Sequence, residues 1–182
     1  MKNGITRESF TMEHLRILKG GGIESVAQIT ATIDGSFMEI ERKQKTPIVP
    51  HPALENAVRE LKEKLLVSTG FMDMRTLVES KEFNATANQK DAVAKAIDLI
   101  KSKTTVTGVH VSGEDKTRGV IISGKITSAN GSAIAVNSPR MRFTSSVFGF
   151  EEDLESEIAN IETELFAYLH EGKKAQLEIM NE

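Results

Sequence analysis

The chain has 182 residues, of which 39% are hydrophobic and 27% charged, a globular balance that excludes disorder along its whole length. It has no cysteine, which excludes disulfides, thiolate metal centres and cysteine nucleophiles. A net charge of −3 excludes a strongly basic domain, so any nucleic-acid contact needs a local basic surface.

The segment through about Lys19 mixes polar and apolar residues without a clear period, and residues 1–8 lack the apolar core of an export signal. Gly20-Gly21-Gly22 breaks regular structure and reads as a flexible connector. It lacks the trailing Gly-Lys-Ser/Thr of a phosphate loop and leads into a strand rather than a helix. From Ile23 to Ile33, apolar residues alternate with Thr30 and Thr32, a strand period. Asp34-Gly35 is a hairpin turn signal, and Ser36 to Lys45 reads as the returning strand. Pro47, Pro50 and Pro52 stop the sheet.

Leu54, Ala57, Val58, Leu61 and Leu65 recur at helical spacing behind Pro52, with Gly70 expected to end the helix. Phe71 to Val78 reads as a short strand or loop. A further helix covers roughly residues 88–101, with Val93, Ala96, Ile97 and Ile100 on one face. Strands follow at 106–111 and 119–127, around a plain turn at Gly113-Glu114-Asp115. Asn130-Gly131 turns the chain into a strand at 132–137, and residues 140–143 continue the edge after Pro139. The last helix runs from about Phe150 to His170 on a stripe of Leu154, Ile158, Ile161, Leu165 and Leu169, with Gly172 at its C′ position.

This order predicts an α+β fold of antiparallel β-hairpins packed against amphipathic helices in one compact domain, followed by a C-terminal tail at 173–182. Ile33-Asp34-Gly35-Ser36 echoes Ala129-Asn130-Gly131-Ser132, and Thr46-Pro47 echoes Ser138-Pro139. Two loosely similar halves, about 20–70 and 104–172, are compatible with that echo; common hairpin chemistry accounts for it as well.

No catalytic set, metal site or cofactor motif is expected. His14, His51, His110 and His170 have no metal-ligand spacing, and no Gly-Xaa-Ser-Xaa-Gly elbow occurs. The acidic residues of the last helix, Glu151 through Glu164, read as a solvated face. The basic residues of the second-half hairpins are the candidates for phosphate contact: Lys116, Arg118, Lys125, Arg140 and Arg142. The strand period puts 116 with 118, and 140 with 142. Edge charges that block sheet-to-sheet aggregation give the same pattern.

In the tail, Gln176-Leu177-Glu178-Ile179-Met180 resembles the short motif by which bacterial replication and repair proteins dock on the sliding clamp. Leu177, Ile179 and Met180 would fill pockets and Gln176 would make polar contacts, with Met180 standing where the motif has an aromatic residue. An ordinary tail folding back on the core is the alternative. Gly108 to Gly124, Asn137-Ser138-Pro139, and the run from Tyr168 to Leu177 resemble uncharacterised proteins encoded by bacteriophages and prophages. That resemblance implies a bacterial cytoplasm and carries no known activity.

Three functions are therefore expected, none of them enzymatic. The first is a binding protein accessory to phage DNA replication or recombination, with the host sliding clamp or single-stranded nucleic acid as partner. The second is an anti-defence protein that blocks a host protein or sequesters a nucleotide signal. The third is a self-associating structural or virion protein, a homo-oligomer. No apolar run is long enough to span a bilayer, so no membrane partner is expected.

Overall fold

The computed structural model describes residues 6–33, 36–73 and 86–173. Among the described residues, seven strands form one antiparallel sheet. They are β1 (Phe10–Ile17), β2 (Ile23–Ile33), β3 (Ser36–Thr46), β4 (Thr104–Ser112), β5 (Gly119–Thr127), β6 (Ala133–Asn137) and the short β7 (Met141–Arg142). The described helices are α1 (Pro52–Glu60), α2 (Lys62–Ser68), α3 (Ala87–Lys103) and α4 (Glu151–His170). The class is α+β, as the patterning predicts. None of the described helices is long and apolar enough to cross a membrane.

The strand order is β3-β2-β1-β4-β5-β6, with β7 also pairing β5. Each half of the chain is thus an antiparallel three-stranded meander followed by helix. The two meanders join where β1 pairs β4, with His14 opposite His110, Leu15 opposite Val109 and Arg16 opposite Gly108.

The core lies on one side of this sheet. Phe10, Met12 and Leu15 of β1, Ile23, Ala27 and Ile29 of β2, Val109 and Val111 of β4, and Val120 and Ile122 of β5 are all buried there. They meet Leu54, Leu61 and Leu65 of the first helical segment and Leu154, Ile158, Ile161 and Leu165 of α4. The α4 stripe is therefore core, as its spacing requires. Gly172, at φ +77°, ends that helix, and the Lys173 N–H donates to the Ala167 carbonyl at 3.1 Å.

Strand β1 has no legible alternation because it carries a β-bulge. The register shifts between Met12 and His14, leaving Glu13 as the extra residue. Phe10 and Met12 before it and Leu15 after it then all face the core despite their mixed parity. β4 has the same irregularity between Val106 and Gly108.

Gly20-Gly21-Gly22 is a tight hairpin turn, not a flexible connector. The Gly21 N–H donates to the Leu18 carbonyl at 3.0 Å, and the Leu18 N–H donates to the Gly22 carbonyl at 2.8 Å. Gly21 sits at φ +81°. A Cβ on Gly22 would lie 2.2 Å from the Thr46 carbonyl oxygen, so glycine lets the β1–β2 turn pack on the end of β3.

The helix expected after Pro52 is two short ones. Leu61, at φ −69° and ψ −5°, interrupts them while its side chain stays fully buried. Pro52 opens α1, and His51 caps it: Nδ1 accepts the Ala53 N–H at 3.2 Å. Gly70 follows α2 at φ +76°. α3 is longer than its spacing suggests, and of its expected apolar face only Ile97 is buried. The Asp34-Gly35 turn, most of the expected 71–78 segment and the tail from Lys174 onward lie outside the described residues.

Candidate binding face of the sheet

Described helices pack on one face of the sheet only. The opposite face carries Thr11, His14 and Arg16 from β1, Glu24 and Gln28 from β2, His110 from β4 and Ser123 and Lys125 from β5, all exposed or half-buried. Register places them. Arg16 lies between Glu24 and Gly108, and Lys125 lies beside Thr105. On edge strand β3, Glu39 and Glu41 sit beside Thr30 and Gln28, while Lys43 and Lys45 sit beside Val26 and Glu24.

Charge on this face is therefore divided along the strand direction. Glu13, Glu39 and Glu41 gather toward one end, and Arg16, Lys43, Lys45 and Lys125 toward the other. Glu24 is the acidic residue inside the basic end. Arg16 and Lys125 are exposed and have no ion-pair partner among the described residues.

Between the two ends, His14 and His110 face each other across the β1–β4 joint with ring centroids 6.1 Å apart. Burial, reinforced by the neighbouring His110, holds the His14 imidazole below its usual value. Its ring is accordingly uncharged near neutral pH and offers a flat surface rather than a cation.

Beyond His14 the ladder between β1 and β4 stops, and the strands part. The gap is closed from the helix side by Glu162 of α4. Its carboxylate is buried and takes three donors: the Met12 N–H at 3.2 Å, Arg7 Nη2 at 3.0 Å and Arg118 Nη2 at 2.8 Å. The carboxylate thus replaces a missing ladder partner for Met12 and anchors two guanidinium groups. On the open side of the parting is a cavity of about 420 Å³. Glu13, Gln28, Glu39, Ser112, Glu114 and Arg118 help to line it.

The five basic residues singled out in the sequence are dispersed. Arg118 points to Glu162, with its guanidinium carbon 5.6 Å from the centre of the Phe143 ring. Arg140 is a clamp on the β4–β5 turn. It donates to Ser112 Oγ at 3.0 Å, to the Ser112 carbonyl at 2.7 Å and to the Thr117 carbonyl at 2.5 Å. Lys116 is exposed in a 3₁₀ turn (Asp115–Thr117), so the strand period that paired it with Arg118 does not apply. Arg142 is exposed on β7 opposite Gly119. Lys125 stands on the helix-free face near the other end of β5, and the register that buries Met141 opposite Val120 turns Arg142 to the same face. The docking residues Gln176, Leu177, Ile179 and Met180 lie outside the described residues.

The acidic helix is less solvated than expected. Besides Glu162, Glu151 is buried and caps the helix entry, accepting the N–H groups of Phe148 and Phe150 at 2.9 and 3.0 Å. Glu157 pairs with Lys64, and burial raises its carboxyl above the usual range. A helical projection marks Glu162: it lies four residues after Ile158 and three before Leu165, inside the apolar stripe. Among the described residues no group of three or more His, Asp or Glu side chains could hold a metal ion.

No protein-family model matches the chain, and comparison with curated proteins and with solved structures finds no match either.

Proposed function

We propose that this chain is a non-enzymatic binding protein that holds single-stranded nucleic acid on its helix-free sheet face, as an accessory of phage DNA replication or recombination. One observation carries the reading: the described helices cover a single side of the sheet, and the other side presents Arg16 and Lys125 at one end, unpaired among the described residues. Extended backbone phosphates need dispersed cations spaced along a groove or face, and two β-strand cations separated across β1, β4 and β5 provide that spacing. The neutral His14 ring supplies a surface on which a base can stack. The Arg118 and Arg140 guanidiniums are already held by protein oxygens, which favours the sheet face over those two side chains as the surface for phosphate.

Fluorescence anisotropy with a labelled single-stranded oligonucleotide at low salt tests this. Arg16→Glu with Lys125→Glu is expected to weaken binding at least tenfold and to flatten its dependence on salt. Wild-type protein that fails to bind at about 50 mM salt would remove the reading. The clamp-docking role of Gln176, Leu177, Ile179 and Met180 rests on the sequence motif. A pull-down with sliding clamp, comparing the native chain with Leu177→Ala plus Met180→Ala, reads it separately.

A further inference from the structure

We propose that β3 is a self-association edge, through which two copies of this chain pair their sheets into one. β3 pairs only with β2, so among the described residues its outer edge has no partner along its whole length. An unpaired edge of that length is a template for another strand. It is also apolar in part, with Phe37 84%, Met38 47% and Ile40 40% exposed.

The charges on the strand name the occupant. The odd-numbered residues of β3 share the helix-free face and read Phe37, Glu39, Glu41, Lys43, Lys45. Glu41 and Lys43 already show their common face, with Nζ to Oε1 at 2.9 Å. In an antiparallel ladder the groups pointing outward alternate, so a two-fold pairing must set odd residues against odd ones. The registers then differ sharply. Centring the two-fold on residue 42 sets Glu39 opposite Lys45 and Glu41 opposite Lys43, each pair occurring twice by symmetry. Centring on 41 sets Glu41 against its copy, and centring on 43 does the same to Lys43. Centring on 40 sets Glu39 against Glu41, and centring on 44 sets Lys43 against Lys45.

Only the register on residue 42 makes every charged pair on that face opposite in sign. Direct cross-strand pairs of opposite charge are favourable and like pairs are not, so the strand is complementary to itself and selects one alignment. On the helix-side face Met38 then meets Thr46 of the second copy, and Ile40 meets Gln44. Arg42 faces its own copy there. It is exposed on a long stem, so the two charged heads can part into solvent.

Charge exchange tests the pairing. In sedimentation velocity at low salt, the native chain is expected to run at twice the monomer mass and to dissociate on dilution or in high salt. Glu39→Lys with Glu41→Lys makes the face wholly basic, and Lys43→Glu with Lys45→Glu makes it wholly acidic. Each variant is expected to be monomeric alone, and an equal mixture to form a dimer. All four positions are exposed, and circular dichroism checks that both variants fold.

A single-cysteine series tests the register, since the native chain has no cysteine. Opposed residues in an antiparallel ladder lie about 4.5–5.5 Å apart between Cα atoms, within disulfide reach. Arg42→Cys is expected to cross-link to its copy under mild oxidation, and Ile40→Cys and Gln44→Cys to cross-link far less. A strictly monomeric native chain at all concentrations overturns the proposal. Dimers that survive in both single-sign variants overturn it too.

Discussion

At the scale of single residues, Glu162 connects parts of the chain far apart in sequence. Its carboxylate receives Arg7 from the start of the chain, Met12 from β1 and Arg118 from the β4–β5 connection. Removing it strands a buried backbone N–H and leaves two guanidiniums without their anion. Glu162→Ala is expected to cost about 3 kcal/mol by chemical denaturation. Arg118→Ala should cost less, because Arg7 and Met12 still satisfy the carboxylate.

The histidines make stability depend on pH. Burial lowers His14, helped by His110, and burial lowers His170, helped by Arg42. His170 also lies against Phe166, with ring centroids 4.9 Å apart and the planes tilted by 31°. A depressed folded-state value means the unfolded chain takes up the proton first. The stabilisation is therefore complete above the ordinary histidine value of 6.5 and is lost as pH falls below it. Glu157 runs the other way: its raised value gives a contribution that is greatest at acid pH and fades as pH rises through that value. Thermal melts between pH 7.5 and 5.5 should show a falling midpoint. His14→Gln with His170→Gln should flatten that fall while leaving the Glu157 contribution in place.

At the scale of elements, the β1–β2 turn shows how one glycine in a run of three is required for its own reason. A Cβ on Gly20 would meet nothing within 4 Å, whereas one on Gly22 would meet the Thr46 carbonyl at 2.2 Å and Pro47 Cα at 2.7 Å. Both obstacles are backbone and cannot rotate away. Gly22→Ala is expected to destabilise the protein by about 3 kcal/mol and Gly20→Ala to be near neutral, as read from urea midpoints. Gly124 is a second close approach, where a Cβ would meet Leu65 Cδ2 at 2.4 Å and the Thr105 carbonyl at 2.7 Å. It lets α2 lie directly on β5. α3 is the contrasting element: it is held through Ile97 and by Lys101, which pairs with Glu63 at 2.5 Å.

At the scale of the whole molecule, two meanders share one core through the β1–β4 joint. Leu15 stands at that joint, fully buried, with Ser25 on one side and Val109 on the other. Leu15→Ala is expected to cost about 3 kcal/mol, with both halves losing stability together. Circular dichroism and amide exchange in β2 and β5 should then report one shared transition. Separate transitions would mean that the halves are independent units.

Local periodicity alone determined the α+β class, the limits of β2, β5 and α4, and the apolar stripe of α4, because those properties depend only on neighbours along the chain. The centre of the sheet was not legible. The Glu13 bulge changes the parity of β1 midway, and a period cannot register an element that breaks it. Of the two cations that the candidate site rests on, Arg16 and Lys125, only Lys125 stood out in the sequence. Which cations are free and which are held depends on Glu162, Ser112 and Thr117, and their distance from Arg118 and Arg140 is set by how the strands pair. That pairing also brought Arg16 onto the face with Lys125. Long-range contact, absent from any sequence window, decided where charge is buried and where it meets solvent.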